Sequence, residues 1–495
     1  MTSNIAANVE GGRRVPASTK VYFGIGGAAE GALNWVVAAA TFLVYTVVFG
    51  LPGTLAGLAT SIPIILDGIT DPLIGHLSDR WRSRLGRRHP FIYLASIPVG
   101  LFAFAIYLPP SSLILPSPES LVILGYEAKI NQWLLALWLL VTSSLLKVFL
   151  TFYTLPHLAL GAELSTSYVE RTRIFRYNTF FSYTGGAILS LCFYNLVIPG
   201  GAQFGVDTSW FALGLGIFSA VAIFLTAHLT RDQIPHLSQP PDDQPVFSFR
   251  TFVKESLSVF QNRNYRMLFF GLLALSATLG IRETLGAHMG LYFWELEPAW
   301  LGLFPLPAIA AYILCMSIVA KLNERFEKGS MMGVVISLAV FAAAFPILAR
   351  FAGYFPANGS LELFATLCFF VALFYGSASI LTATVFSAIG DVVDEHELET
   401  GRRQEGVFYA VRTLFSKVSI GFGHLLAGIA IDIIEFPANP VAGEIDPQII
   451  FELGLFEGVI ATIPAYFAIY FYSRYKIDRK RHAEIRRGLA ERAGS

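Results

Sequence analysis

Charge is what this sequence has least of. Only 14% of its 495 residues are Asp, Glu, Lys or Arg, against roughly 25% in soluble domains. A soluble chain of this length needs polar surface for more than one domain, and no stretch here supplies it. Lys plus Arg equals Asp plus Glu, 35 of each, so the basic excess of a nucleic-acid-binding protein is missing. Cysteine is scarce as well: Cys192, Cys315 and Cys368 each sit in an apolar run, with no pairing that suggests a disulfide framework or a zinc site. His89, His157, His288, His396 and His424 are scattered and offer no nucleophile–base pair and no metal-ligand spacing. Enzymatic chemistry and a resident cofactor are therefore not expected. The polar N-terminus carries no short apolar stretch with a small-residue cleavage site, so no cleaved leader is expected.

What is abundant is apolar surface, 54% of residues with 42 phenylalanines among them. A membrane span needs about 20 mostly apolar residues, and this rule places twelve of them, an all-α membrane protein of two six-helix halves. The expected organisation is an N-terminal segment 1–20, six helices over 21–229, a linker 230–265, six helices over 266–473 and a basic tail 474–495. The fifth span is expected at 176–199 and the tenth at 362–386, and the linker from Phe247 to Phe260 reads as an amphipathic surface helix. Five arginines lie between Ser78 and Arg88, and Arg171, Arg173 and Arg176 are expected in the loop after the fourth span. The tail is basic throughout, while the alternate side carries Asp207, Glu295, Glu297, Glu435, Glu444 and Asp446. By the positive-inside rule both termini are expected to be cytoplasmic, and the expected location is the inner (plasma) membrane. Gln239 to Asp243 separates the halves, and the end of the second span, Gly75 to Arg80, is echoed by Ala320 to Arg325 at the end of the eighth. Two such halves around a site are a transporter architecture, expected to be monomeric, bilayer-embedded and bound to a small-molecule substrate, with no nucleic acid.

Charges inside spans are costly and mark function. Asp67 and Asp71, with Thr70 between them, share one face of the second span, and Pro72 frees a backbone carbonyl beside them. Oxygen donors of this kind suit Na+ or a titrating proton; the alternative is that Asp71 latches to the arginines of the next loop. Glu30 lies among small residues of the first span, and Lys147, Thr151 and Thr154 form a stripe on the fourth. The seventh span carries Arg282, Glu283 and His288, and the eleventh carries Arg412 and Lys417. Phe149, Phe152, Tyr153 and Tyr183 are the aromatic candidates near a cavity.

Two motifs carry a resemblance. One is Asp67-Gly68-Ile69-Thr70-Asp71-Pro72-Leu73-Ile74-Gly75 with Arg82-Ser83-Arg84-Leu85-Gly86-Arg87-Arg88-His89-Pro90. The other is Gly390-Asp391-Val392-Val393-Asp394-Glu395-His396-Glu397 with Thr400-Gly401-Arg402-Arg403-Gln404-Glu405-Gly406. Over nearly its whole length the chain resembles the glycoside–pentoside–hexuronide:cation symporters of the major facilitator superfamily, whose best-known member is melibiose permease. The resemblance implies a coupling cation held at Asp67 and Asp71 with help from the Thr151 hydroxyl, and a cavity network that includes Lys417. It also implies changes on the sugar side: Gly31, next to Glu30, stands where melibiose permease has a sugar-binding acid, Thr154 replaces another, and Thr179 replaces an arginine.

The expected function is a cation-coupled (Na+ or H+) symporter that moves a sugar, glycoside or uronide by alternating access. Alternatives are a carrier of a lysolipid or other amphiphile by the same mechanism, and a non-transporting solute sensor. Lys147 is expected to pair with Glu30 or Asp67, or to meet an anionic substrate group. Asp79, Arg80, Arg84, Arg87 and Arg88, facing Asp391, Asp394 and Glu397, are expected to form a cytoplasmic gate of charge pairs.

Overall fold

A chain in hydrocarbon must satisfy its backbone polar groups internally, and helices do so within one segment. The computed structural model describes residues 14–115, 117–123, 125–198, 208–237 and 249–494. Twelve of its helices are long and apolar enough to cross a membrane. They are α1 Ala17–Val48, α2 Gly53–Arg80, α3 His89–Ile106, α4 Ile130–Glu163, α5 Val169–Val197 and α6 Thr208–Leu229. The series continues with α7 Arg263–Phe293, α8 Pro298–Arg325, α9 Lys328–Phe351, α10 Leu361–Thr400, α11 Glu405–Ile433 and α12 Pro447–Ser473. The first thirteen residues, Asp207 and the Gln239 to Asp243 stretch of the linker lie outside the described residues.

The chain divides into two compact units, Met1–Val246 and Phe247–Ser495. In the first, α1 packs on α5 and α6, α2 on α4, and α3 on α4 and α6. In the second, α7 packs on α11 and α12, α8 on α10, and α9 on α10 and α12. Raising every index of the first list by six gives the second, so the internal architecture of one unit repeats in the other.

Small residues set the closest of these contacts, because backbones approach only where side chains are absent. A Cβ on Gly31 of α1 would overlap the Ser182 carbonyl of α5, and one on Gly185 would overlap the Ala28 carbonyl. The corresponding pair in the second unit does the same: a Cβ on Gly280 of α7 would overlap the Ile420 carbonyl of α11, and one on Gly423 would lie 2.5 Å from the Ala277 carbonyl. Inside α1, widened turns at Val36–Ala40 and Val44–Val48 interrupt the regular ladder. The Thr41 and Tyr107 hydroxyls answer the disturbance by converging on the Val36 carbonyl at 3.1 and 3.2 Å.

Two helices are longer than their apolar runs. The fifth begins at Val169 and not at 176, which corrects the assignment of Arg171, Arg173 and Arg176 to a loop: they form its first turns. Arginine is a good helix former, and this stretch is anchored by Glu170, which accepts from the Val15 amide at 3.1 Å and pairs with Lys20 at 2.5 Å. The tenth runs to Thr400, far beyond 386, so the acidic run is helical too. A short antiparallel hairpin, β1 Ser120–Ile123 and β2 Tyr126–Lys129, joins α3 to α4 and has no counterpart in the sequence reading. A surface helix at Phe249–Val259 packs on α11, and a tail helix at Arg479–Gly494 packs on the end of α10.

Candidate functional site

In the first unit the packing of α2 on α4 brings an acid to a hydroxyl. Thr151 Oγ1 of α4 donates to Asp67 Oδ1 of α2 at 2.7 Å. The Lys147 carbonyl lies 3.1 Å from the same hydroxyl, but a hydroxyl has one proton, and the closer, charged acceptor takes it. Asp71 lies one turn along the same face, half-buried like Asp67. Thr70 is turned inward on its own helix, donating to the Asp67 carbonyl at 3.2 Å, so only its lone pairs remain for a ligand. Proline at 72 has no N–H, which leaves the Gly68 carbonyl without its helical donor inside this turn. Two carboxylates, two hydroxyl oxygens and a released carbonyl thus lie on or against one stretch of α2.

Glu30 and Lys147 are within electrostatic reach of each other across α1 and α4. Glu30 Oε2 is buried with no hydrogen-bond partner among the described residues. Behind them lies a network absent from the sequence reading. Tyr153 and His157 of α4 are fully buried, with the tyrosine hydroxyl 3.1 Å from His157 Nδ1 and His157 Nε2 2.9 Å from the Phe23 carbonyl of α1. Tyr153 is therefore a core residue and not a cavity residue. Phe149 and Phe152, half-buried, stack on Phe102 and Phe91 of α3 at 5.9 Å each. Thr154 is half-buried on α4. Gly31 has no room for the acid that melibiose permease carries at that place, since a Cβ there would overlap the Ser182 carbonyl.

The described ion pairs at the helix ends lie inside their own units. Arg88, buried, reaches Asp79 at 2.5 Å, Glu163 at 2.8 Å and the Ser78 hydroxyl at 2.7 Å. Arg87 reaches Glu163 at 3.0 Å, Arg80 lies 3.3 Å from His76 Nε2, and Arg84 is exposed. Glu163 at the end of α4, unremarked in the sequence, is thus the clasp for the α2–α3 loop. In the second unit Asp391 takes Lys328 at 2.5 Å, the Tyr475 hydroxyl at 3.0 Å and His482 at 3.5 Å. Asp394 takes Arg403 at 3.3 Å and Arg486 at 3.6 Å, and Glu397 takes Arg403 at 2.8 Å. These five partners all belong to the second unit, where the sequence reading expected the loop at 79–88. The carboxylates around Arg403 hold its guanidinium above its ordinary range, and burial beside Asp391 pushes the Tyr475 phenol up. Glu395, two of whose partners are Asn262 and Asn264 at 3.0 and 2.8 Å, is a further fixed point that sequence alone did not single out.

Within the spans of the second unit the prominent charges are bases. The Arg412 guanidinium lies 4.0 Å over the Phe386 ring, and its Nε is buried without a hydrogen-bond partner among the described residues. Lys417 is half-buried on the same helix, α11. Arg282 of α7 pairs with the buried Glu457 of α12 at 2.6 Å.

The pattern of the MFS/sugar transport protein family matches residues 22–479. The chain belongs to this family. It is 28% identical to an uncharacterized symporter of Synechocystis sp., over 90% of this chain and 92% of that protein. It is 23% identical to an inner membrane symporter of Escherichia coli, over 83% of this chain and 81% of that one. Among solved structures it is similar to the xylose transporter of E. coli in its inward-open conformation, with a TM-score of 0.57 and 12% identity over 93% of this chain and 96% of that one. At that identity the likeness shows the fold alone. The resemblance read from the two motifs is borne out, as is the fold: two six-helix halves of the major facilitator type. The protein is a membrane transporter of the symporter class and not an enzyme.

Proposed function

We propose that this transporter couples the movement of a sugar, glycoside or uronide to Na+ or H+ by alternating access. The observation that carries the coupling half is the Thr151–Asp67 hydrogen bond, 2.7 Å, between two helices of one unit with Asp71 a turn away. Carboxylate oxygens and a neighbouring hydroxyl are the donor set that a hard monovalent cation or a proton takes. Cation binding relieves the repulsion of the two acids, and coupling follows if each ligand raises the affinity for the other, typically by about 1–3 kcal/mol. The sugar half is supported by the family's own description. Lys147, whose one described charge partner is Glu30, gives the uronide option a physical basis, since an ammonium in a span is suited to a carboxylate on the substrate. The basic ends of α2 and α5 and the basic tail support a plasma-membrane orientation with both termini cytoplasmic.

Uphill uptake into proteoliposomes tests this directly. Sugars and uronates are offered under a Na+ gradient and, separately, under a pH gradient. Accumulation under one gradient and not the other names the ion. If neither gradient drives any of these solutes while a lysolipid is carried, the amphiphile reading replaces the sugar reading.

A further inference from the structure

We propose that Arg412, in the seam between α10 and α11, binds the carboxylate of an acidic sugar whose ring lies beside Phe386 and Tyr409. This rests on the uronide branch of the reading above and adds to it a place and a recognising group.

A guanidinium cannot shed its charge, so a partly buried one needs an anion or a full set of acceptors. Arg412 has neither among the described residues. Its Nε is buried without a hydrogen-bond partner, and no carboxylate of the described residues lies within ion-pair distance. The groups within its electrostatic reach are the neutral phenols of Tyr265, Tyr409 and Tyr472. Asp391, farther along α10, pairs with Lys328 at 2.5 Å, and Glu405, at the start of α11, pairs with Arg403 at 3.2 Å. Arg282, by contrast, has Glu457 at 2.6 Å, and Lys147 has Glu30 within electrostatic reach. The counter-charge of Arg412 is therefore left for a ligand to supply.

The seam gives that ligand room. α10 packs on α8 and α9, and α11 packs on α7, while α10 and α11 touch each other sparsely. Arg412 crosses this seam, its guanidinium 4.0 Å over the Phe386 ring of α10. A ring face orients the fork but does not neutralise it. Tyr409 stacks with Phe386 at 5.7 Å and donates its hydroxyl to the Phe386 carbonyl at 3.1 Å, which ties the two rings together. Val385, Phe408 and Val411 are sealed in the core beside them, whereas Phe386 is 40% exposed and Arg412 half-buried, so the group opens away from the core. Hydrocarbon is the wrong medium for a cation without a counter-charge, so the open side faces water or solute. The internal repeat puts α10 where the first unit has α4, the helix of Lys147, Thr151 and Thr154. A planar fork matches a carboxylate bidentately, and the ring pair suits the C–H face of a pyranose. Sugar hydroxyls alone leave the charge unbalanced, which favours an acidic sugar over a neutral one.

The test is uptake by the full-length protein in proteoliposomes, driven by the gradients above. Glucuronate and galacturonate are the probes, and glucose and galactose are their neutral counterparts. Vesicles are of phosphatidylcholine with and without phosphatidylglycerol, and the wild type is compared with Arg412→Gln and Arg412→Lys. The wild type is expected to carry a uronate with a lower KM than its neutral counterpart. Arg412→Gln is expected to raise KM for that uronate about tenfold, with cation dependence and any KM for the neutral sugar unchanged. Arg412→Lys, which keeps a point charge and loses the fork, falls between. If Arg412→Gln does not fold, the comparison of uronate with neutral sugar in Arg412→Lys decides alone. An unchanged uronate KM, or an equal rise for uronate and neutral sugar, overturns the site and spares the uronide reading. A wild type that carries neutral sugars and not uronates overturns the site and spares the sugar reading. A uronate KM that phosphatidylglycerol raises in the wild type and not in Arg412→Gln also overturns it, because the fork then holds a lipid phosphate. If none of the four is carried, the site and the sugar reading fall together.

Discussion

The two units have the same helix-packing scheme and different span charges. In the first, α2 carries Asp67 and Asp71 and α1 carries Glu30, with Lys147 as the one base singled out. In the second, Arg282, Arg412 and Lys417 lie in α7 and α11, accompanied by Glu283 and Glu457. The repeat is preserved where backbone meets backbone, at Gly31 and Gly185 in one unit and Gly280 and Gly423 in the other. It is lost where side chains carry charge. The lesson is that a duplicated scaffold constrains helix proximity and leaves the electrostatics of each copy free to diverge.

Matched overpacking tests the shared scaffold and has the largest expected effect. Gly31→Leu and Gly280→Leu each force a side chain into a neighbouring carbonyl, and each is expected to cost about 1–3 kcal/mol or more. Thermal unfolding in detergent should show comparable losses for the two; a severe loss in one and none in the other breaks the equivalence of the units.

Next is the clasp of the first unit. Glu163→Gln removes the carboxylate shared by Arg87 and the buried Arg88, with an expected loss of about 1–3 kcal/mol. The second unit answers with a smaller number: Arg403, half-exposed, contributes under about 1 kcal/mol by the usual weakness of exposed pairs. Arg403→Ala should therefore shift the melting temperature less than Glu163→Gln, and the reverse order would mean that the acidic end of α10 is the stronger clasp.

Thr151 sharpens the chemical side of the comparison. Thr151→Ala deletes the donor to Asp67 and is expected to raise the cation concentration for half-maximal uptake about tenfold, while Thr151→Ser restores it. The same pair of substitutions at Thr154, which has no described hydrogen bond to an acid, should leave cation dependence where it was.

Much of this was legible in the sequence, for physical reasons. Apolar runs report hydrocarbon thickness, so the twelve spans could be read, and Asp67, Asp71 and Thr151 stood out because charge and hydroxyl inside such runs are costly. The ends of α5 and α10 could not be read, since a helix that leaves the bilayer keeps its backbone ladder while its composition turns polar. Glu163, Lys328 and Tyr475 were invisible because nothing local distinguishes them; each acquires its role from a partner more than sixty residues away. Tyr153 was misread because aromatic side chains pack helices together as readily as they line cavities.

The central claim is that the acid pair of the first unit, braced by Thr151, is the coupling-cation site. The most direct measurement is gradient-driven uptake by Asp67→Asn in proteoliposomes, with Glu283→Gln in the second unit as the matched control. The account predicts that Asp67→Asn abolishes accumulation above the external concentration, while Glu283→Gln keeps the dependence of uptake on the cation. Undiminished, cation-dependent accumulation by Asp67→Asn would contradict it.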